Sequence, residues 1–176
     1  MERALVIFES MFGNTRTVAE AVAEGLSSRF ETDLSEVSLA STRITDDVVL
    51  LVVGGPTHAF GLTRPRTRED AAKQADGPLV SSGRGLREWL SEIEGVEPGV
   101  GAAAFDTRID KPRVPGSAAR GAEKRLRRLD LRIVLPAESF FVTGTKGPLV
   151  DGEIERARRW GEDLARRSAA VDAVSR

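Results

Sequence analysis

The chain reads as an α/β protein, a doubly wound parallel sheet of five strands in the order 2-1-3-4-5 with helices on both faces. Three observations predict it. Short apolar runs of buried-strand type alternate with segments of helical period. The third run, "VVLLVV" at 48–53, is apolar throughout and rich in β-branched residues, as a central parallel strand must be. The connections are long enough for right-handed crossovers. Element by element, Ala4–Glu9 is the first strand, bounded by turn residues. Thr15–Arg29 is the first helix, with Val18, Val22, Leu26 and Phe30 on one stripe. Thr32–Leu39 alternates loosely and suits an edge. After the central strand, Leu86, Trp89, Leu90 and Ile93 recur at i, i+3, i+4, i+7, so a helix is expected there, capped by Ser81 or Ser82. "VGAAAF", 100–105, is a strand of small residues. Ser117 caps a helix whose stripe is Ala118, Ala122, Leu126 and Leu129. "LRIVL" is the last strand, extending toward "ESFFV". A closing helix turns Ile154, Ala157, Gly161 and Leu164 inward, and the domain is expected to end near residue 168, with 169–176 frayed.

Composition removes several chemistries. With 176 residues a single domain with a substantial core is expected. Cysteine is absent, so disulfides, thiolate nucleophiles, Cys-ligated zinc and iron–sulfur clusters are excluded. A single histidine argues against a His-based metal site, and no metal is expected. The 26 basic and 27 acidic residues nearly cancel, which argues against a dedicated nucleic-acid binder. "MERALVIF" is too short an apolar run for a signal peptide and no stretch suits a membrane span, so the cytoplasm is the expected compartment.

In this topology the ligand crevice lies at the carboxyl ends of the strands where the winding reverses. The loops to inspect therefore begin at Ser10, Gly54 and Asp106. The first, "SMFGNT" (Ser10, Met11, Phe12, Gly13, Asn14, Thr15), leads from strand into helix. A helix N-terminus leaves backbone N–H groups unpaired and carries partial positive charge. Short polar side chains and a glycine add to this a place for a phosphate monoester, unless Asn14 or Thr15 is simply a helix cap. The loop has no lysine and no GxxxxGK(S/T), which argues against a nucleoside triphosphate cradle, and a GxGxxG dinucleotide turn is absent too. The second loop, "GGPTHAFGLTRPRT" at 54–67, exits the sheet through Gly54 and Gly55, is stiffened by Pro56, and offers Thr57, His58, Ala59 and Phe60. The third, "FDTRIDKPRVPGS" at 105–117, offers Asp106, Thr107 and Arg108.

Strand, Ser-x-x-Gly-Asn-Thr, helix resembles the FMN phosphate loop of the flavodoxin family, usually Ser/Thr-x-Thr-Gly-x-Thr. Ser10, Gly13 and Thr15 match, and Phe12 replaces a usual hydroxyl residue. Gly-x-Pro-Thr followed by an aromatic is also the flavodoxin pattern after the third strand, with His58 where Trp or Tyr is usual. The resemblance runs from Ala4 to about Leu164 and implies a short-chain, flavodoxin-like FMN protein. It implies that the first loop holds the phosphate and that Pro56, Thr57, His58, Ala59 and Phe60 border the ring. Asp106 and Thr107 then meet its pyrimidine edge, and Arg108 lies over it or is solvated. It further implies a redox partner protein docking near the flavin edge. The chain has no Tyr, which departs from the family's aromatic sandwich.

Residues 62–83 are an extra segment, either a polar excursion or a frame for the flavin or for a partner surface. Its Arg64, Arg66 and Arg68, with Arg108, Lys111 and Arg113 of the third loop, are expected to surround the ring with positive charge and make its potential less negative than the family norm. No acid–base pair or nucleophile–base constellation is visible, so an electron carrier is the first reading. An FMN oxidoreductase acting on a quinone or porphyrinogen, and a degenerate non-flavin module on the same fold, remain open.

Overall fold

The computed structural model describes residues 1–112 and 114–174. The chain runs β1 (Arg3–Phe8), α1 (Asn14–Leu26), β2 (Glu31–Glu36), β3 (Val48–Pro56), α2 (Pro65–Gln74), α3 (Leu86–Glu92), β4 (Gly101–Ile109), α4 (Ala118–Arg128), β5 (Arg132–Ile133), β6 (Glu138–Val142) and α5 (Glu153–Val174). The sheet is parallel with the expected order β2-β1-β3-β4-β5, and β6 also pairs with β4. β5 and β6 divide the expected last strand. Pro136 interrupts it, since proline has no N–H to give a ladder.

Each face of the sheet carries its own core. On one side Val18, Val22, Leu26 and Phe30 of the α1 region meet Phe105, Phe140 and Trp160, whose rings pack edge to face with centroids 6.0–6.1 Å apart. On the other, Leu86, Trp89 and Leu90 of α3 and Ala122 and Leu126 of α4 cover Ile7, Leu51 and Val53. The stripes of α1, α3 and α4 are thus as their spacing predicts.

Four expectations need correction. On α5 one position of the expected face is wrong: Ala157, Gly161 and Leu164 turn inward as expected, with Glu153, Trp160 and Ala165 beside them, but Ile154 in the first turn is exposed. The Trp160 ring completes the aromatic triad. α5 also continues to Val174, beyond the expected domain end, with Ser168 still buried; residues 175–176 lie outside the described residues. α3 is not capped by Ser81 or Ser82. The buried Glu9 carboxylate accepts from the Leu86 N–H at 2.6 Å, and Glu88 accepts from the Gly85 N–H at 3.1 Å. Finally, β4 runs to Ile109, so Asp106, Thr107 and Arg108 are strand residues, and the third loop begins later than the composition of 105–110 suggests.

Candidate functional site

At the carboxyl ends of β1, β3 and β4 a cavity of about 300 Å³ opens, within the range of small-ligand sites. Its floor is the loop from β1 to α1. Gly13 is the N-cap of α1, with φ +99°, a left-handed conformation suited to glycine. No side chain caps the helix, and its first turn holds no acidic residue. The first amides therefore face the cavity region without an intrahelical acceptor. The loop is held from behind. The Gly13 N–H donates to Ser10 Oγ at 3.1 Å, the Ser10 N–H to Ser81 Oγ at 2.9 Å, and the Ser81 N–H to the Ser10 carbonyl at 2.7 Å. Ser81, expected to cap a helix, instead braces this loop.

The structure brings Ser10, Met11, Phe12, Asn14, Thr15, Pro56, Thr57, His58, Ala59, Thr107 and Arg108 to the cavity wall. Gly13 sits beside them in the backbone. Phe60 and Asp106 do not line the cavity. Phe60 is 62 % exposed on the outer side of a tight turn, closed by the His58 N–H to the Gly61 carbonyl at 2.9 Å and its reciprocal at 3.1 Å. Asp106 is buried beneath α4, where Oδ2 accepts from Thr57 Oγ1 at 3.0 Å, Ser117 Oγ at 2.5 Å and the Ala119 N–H at 3.1 Å. Through Oδ2 it anchors a helix N-terminus, while Oδ1 is buried without a hydrogen-bond partner. The hydroxyls of Thr15 and Thr107 share a hydrogen bond of 2.7 Å, tying the first loop to the end of β4.

The far wall was not foreseen. Residues 62–83, read as an excursion or frame, contain α2, and Thr67, Asp70, Ala71 and Gln74 of that helix line the cavity, with Ile109, Val142 and Thr145 from the β4 and β6 ends. The signal was present: Pro65 suits a first helical position, and 67, 70, 71 and 74 share one helical face. It was missed because that face is polar, so no hydrophobic period marks it.

Of the six cations expected around the ring, Arg108 alone among the described residues lines the cavity. Arg68 pairs with Glu88 at 2.8 Å, and Arg113 lies outside the described residues. Asp70 lines the cavity as well, so a carboxylate joins the Arg108 guanidinium at its wall. Among the described residues the expected positive surround is therefore absent at the cavity wall. His58 is held neutral at pH 7, because burial, and then the charge of Arg68, push its pKa below the ordinary value.

The fit to a flavin mononucleotide rests on two features. The uncapped α1 N-terminus, with the Ser10 and Asn14 side chains, suits a phosphate dianion. Arg108 Nε is buried without a hydrogen-bond partner and gives a donor at the cavity wall. Among the described residues no group of three or more His, Asp or Glu could hold a metal ion, and no helix is long and apolar enough to cross a membrane.

Comparison with known proteins bears on the fold. The flavodoxin family model matches residues 6–81, which contain the end of β1, the loop to α1, and β3. No curated protein matches the chain. A flavodoxin from the domain Archaea is similar in structure at TM-score 0.66 and 18% identity, covering 95% of this chain and 99% of that one. Flavodoxin 1 from Bacillus cereus gives 0.68 at 17% identity, covering 94% and 98%. A flavodoxin, WrbA-like protein from Agrobacterium tumefaciens gives 0.58 at 16% identity, covering 97% and 99%. The chain is thus similar to the flavodoxin family over residues 6–81, and its fold is that of solved flavodoxins over nearly its whole length.

Proposed function

We propose that this protein binds FMN in the cavity at the ends of β1, β3 and β4 and serves as an electron carrier. The observation that carries the reading is the uncapped N-terminus of α1, opening into a cavity walled by the β3 and β4 ends. FMN, when bound, supplies reversible electron transfer. The chain supplies the rest. The α1 amides with Ser10 and Asn14 take the phosphate, Pro56, Thr57, His58 and Ala59 border one side of the ring, and Thr107 and Arg108 border the other. Neutral His58 adds no charge beside the ring at pH 7. A carrier is the first reading because the Thr57 hydroxyl, the cavity-wall hydroxyl beside the Asp106 carboxylate, is engaged in holding the start of α4.

One observation favours a second reading, an FMN oxidoreductase with its own substrate. α2 places Thr67, Asp70 and Gln74 as a polar wall beside the ring position, groups that a pure carrier does not need. Oxygen consumption with NAD(P)H alone separates the two, since a carrier requires a separate reductase.

The test of the first reading is uptake of FMN. The apo-protein is expected to quench FMN fluorescence at one equivalent, to turn yellow and to melt at a higher temperature when saturated. If neither quenching nor a melting shift is seen at saturating FMN, the reading fails.

A further inference from the structure

Phe60 is expensive to keep where it is. It is 62 % exposed, and both it and Ala59 adopt left-handed backbone, with φ of +73° and +44°. Side chains rarely accept such angles, and strain of this kind persists where function requires it. The fold does not need this aromatic ring, since it packs into neither core. Yet the turn is firmly built. Its two backbone hydrogen bonds close it, and Gly116, with φ +94°, packs against the Phe60 backbone so closely that a Cβ on it would collide. Exposed Val114 stands two residues from Gly116, and its carbonyl accepts from Arg108.

The same face carries arginines that have no acid. Arg87 donates from Nε to the Thr63 carbonyl at 3.2 Å and from Nη2 to the Leu62 carbonyl at 2.9 Å. Arg125 donates to the Gly121 carbonyl at 3.1 Å, over the contact of Gly121 with Leu62. Arg64 is exposed at the start of α2. Among the described residues none of these three makes an ion pair, while the nearby Glu88 is taken by Arg68. Burial and the neighbouring charges of Arg125, Arg64 and Arg68 push the pKa of Arg87 below its ordinary value, the mark of a cluster lacking counter-charge.

We propose that this face, centred on Phe60 and flanked by Arg64, Arg87 and Arg125, docks an acidic protein partner. An exposed aromatic within a positively charged rim is the composition of an interface anchor, and carboxylates on a partner would supply the charge the rim lacks. Nucleic acid and anionic lipid are disfavoured as occupants, because a net charge of −1 provides no broad polyelectrolyte attraction. The face adjoins His58, Ala59 and Arg108 of the cavity wall, so the partner would sit beside the ring's edge. For its purpose, though not for its geometry, this proposal rests on the electron-carrier reading.

The test titrates the isotope-labelled protein, followed by NMR, with two probe proteins at low salt: an acidic cytochrome b5 and a basic cytochrome c. The acidic probe is expected to shift Phe60, Gly116 and the first turn of α4, with affinity falling steeply as salt rises from about 20 to about 200 mM. Phe60→Gly removes the anchor and the strain together, so it should weaken binding about five-fold or more without lowering the melting temperature. Arg64→Gln with Arg125→Gln should weaken it similarly. The proposal is overturned if the acidic probe shifts nothing on this face, if cytochrome c prefers it, or if both variants keep their affinity. It is equally overturned if an oligonucleotide or an anionic phosphatidylserine vesicle occupies this face and the acidic probe does not. Flavin content, read by absorbance on the same sample, separates the two claims. Protein that binds the acidic probe but takes no FMN contradicts the cofactor reading alone. Protein that takes FMN but ignores the probe contradicts the docking proposal alone.

Discussion

At the scale of single residues, two pairs of groups decide the chemistry. Arg108 and Asp70 face the cavity with opposite charge. A unit charge about 6 Å from the ring is worth roughly 3 kcal/mol at an effective dielectric near 20, and about 1 kcal/mol after solvent screening. That is on the order of 20 mV on a two-electron couple. In FMN-loaded protein, Asp70→Asn should raise the flavin midpoint potential and Arg108→Gln should lower it, each by about that amount or more. Redox titration of the two variants checks this, and shifts of the same sign would refute the placement of the ring between them. The second pair is Glu9 and Thr63. Burial raises the Glu9 pKa above 4.5, outweighing the hydrogen bonds from Thr63 and Leu86 and the charge of Arg68. A carboxyl with a raised native pKa contributes stability that is full below its unfolded pKa and is lost as pH rises through the folded value. Glu9→Gln is uncharged at every pH. Its stability relative to the parent should therefore increase from pH 4.5 to pH 7, read by urea melts at both. A difference independent of pH would show that Glu9 does not titrate as its burial requires.

At the scale of elements, the most telling contact is between α1 and α5. Gly25 and Gly161 let the two helices meet backbone to backbone, for a Cβ at either would strike the carbonyl of the facing helix, Arg158 for one and Val22 for the other. Gly161→Ala should cost about 1–3 kcal/mol, as overpacking does, although alanine is the better helix former. Chemical denaturation measures it, and a stabilised variant would mean the helices are not in this contact. The strands and most helices were legible because the hydrophobic period records burial on one face. Legibility failed where burial was not the organising force. Asp106–Ile109 look like loop composition but form strand, and Asp106 is held there by Oδ2 accepting from Thr57, Ser117 and the Ala119 N–H of α4. α2 buries only Ala71, so no apolar stripe announces it. Its hold comes from a polar relay, in which Arg68 Nη1 donates to Thr63 Oγ1 at 2.9 Å and Thr63 Oγ1 donates to Glu9 at 2.5 Å.

At the scale of the whole molecule, the parallel order reverses between β1 and β3, and the cavity opens where the winding leaves the strand ends uncovered. The floor of that cavity could be read from "SMFGNT", because a glycine and short polar residues between strand and helix have few other uses. Its outer wall could not, because that depends on where α2 settles after folding. What the account claims above all is that the α1 amides select a phosphate. The direct measurement is the affinity of the apo-protein for FMN against riboflavin, which differ only in that group. FMN should bind about 100-fold tighter or better, the worth of two or so charge-assisted hydrogen bonds. Equal affinities would show that the helix end holds no phosphate and would contradict the account.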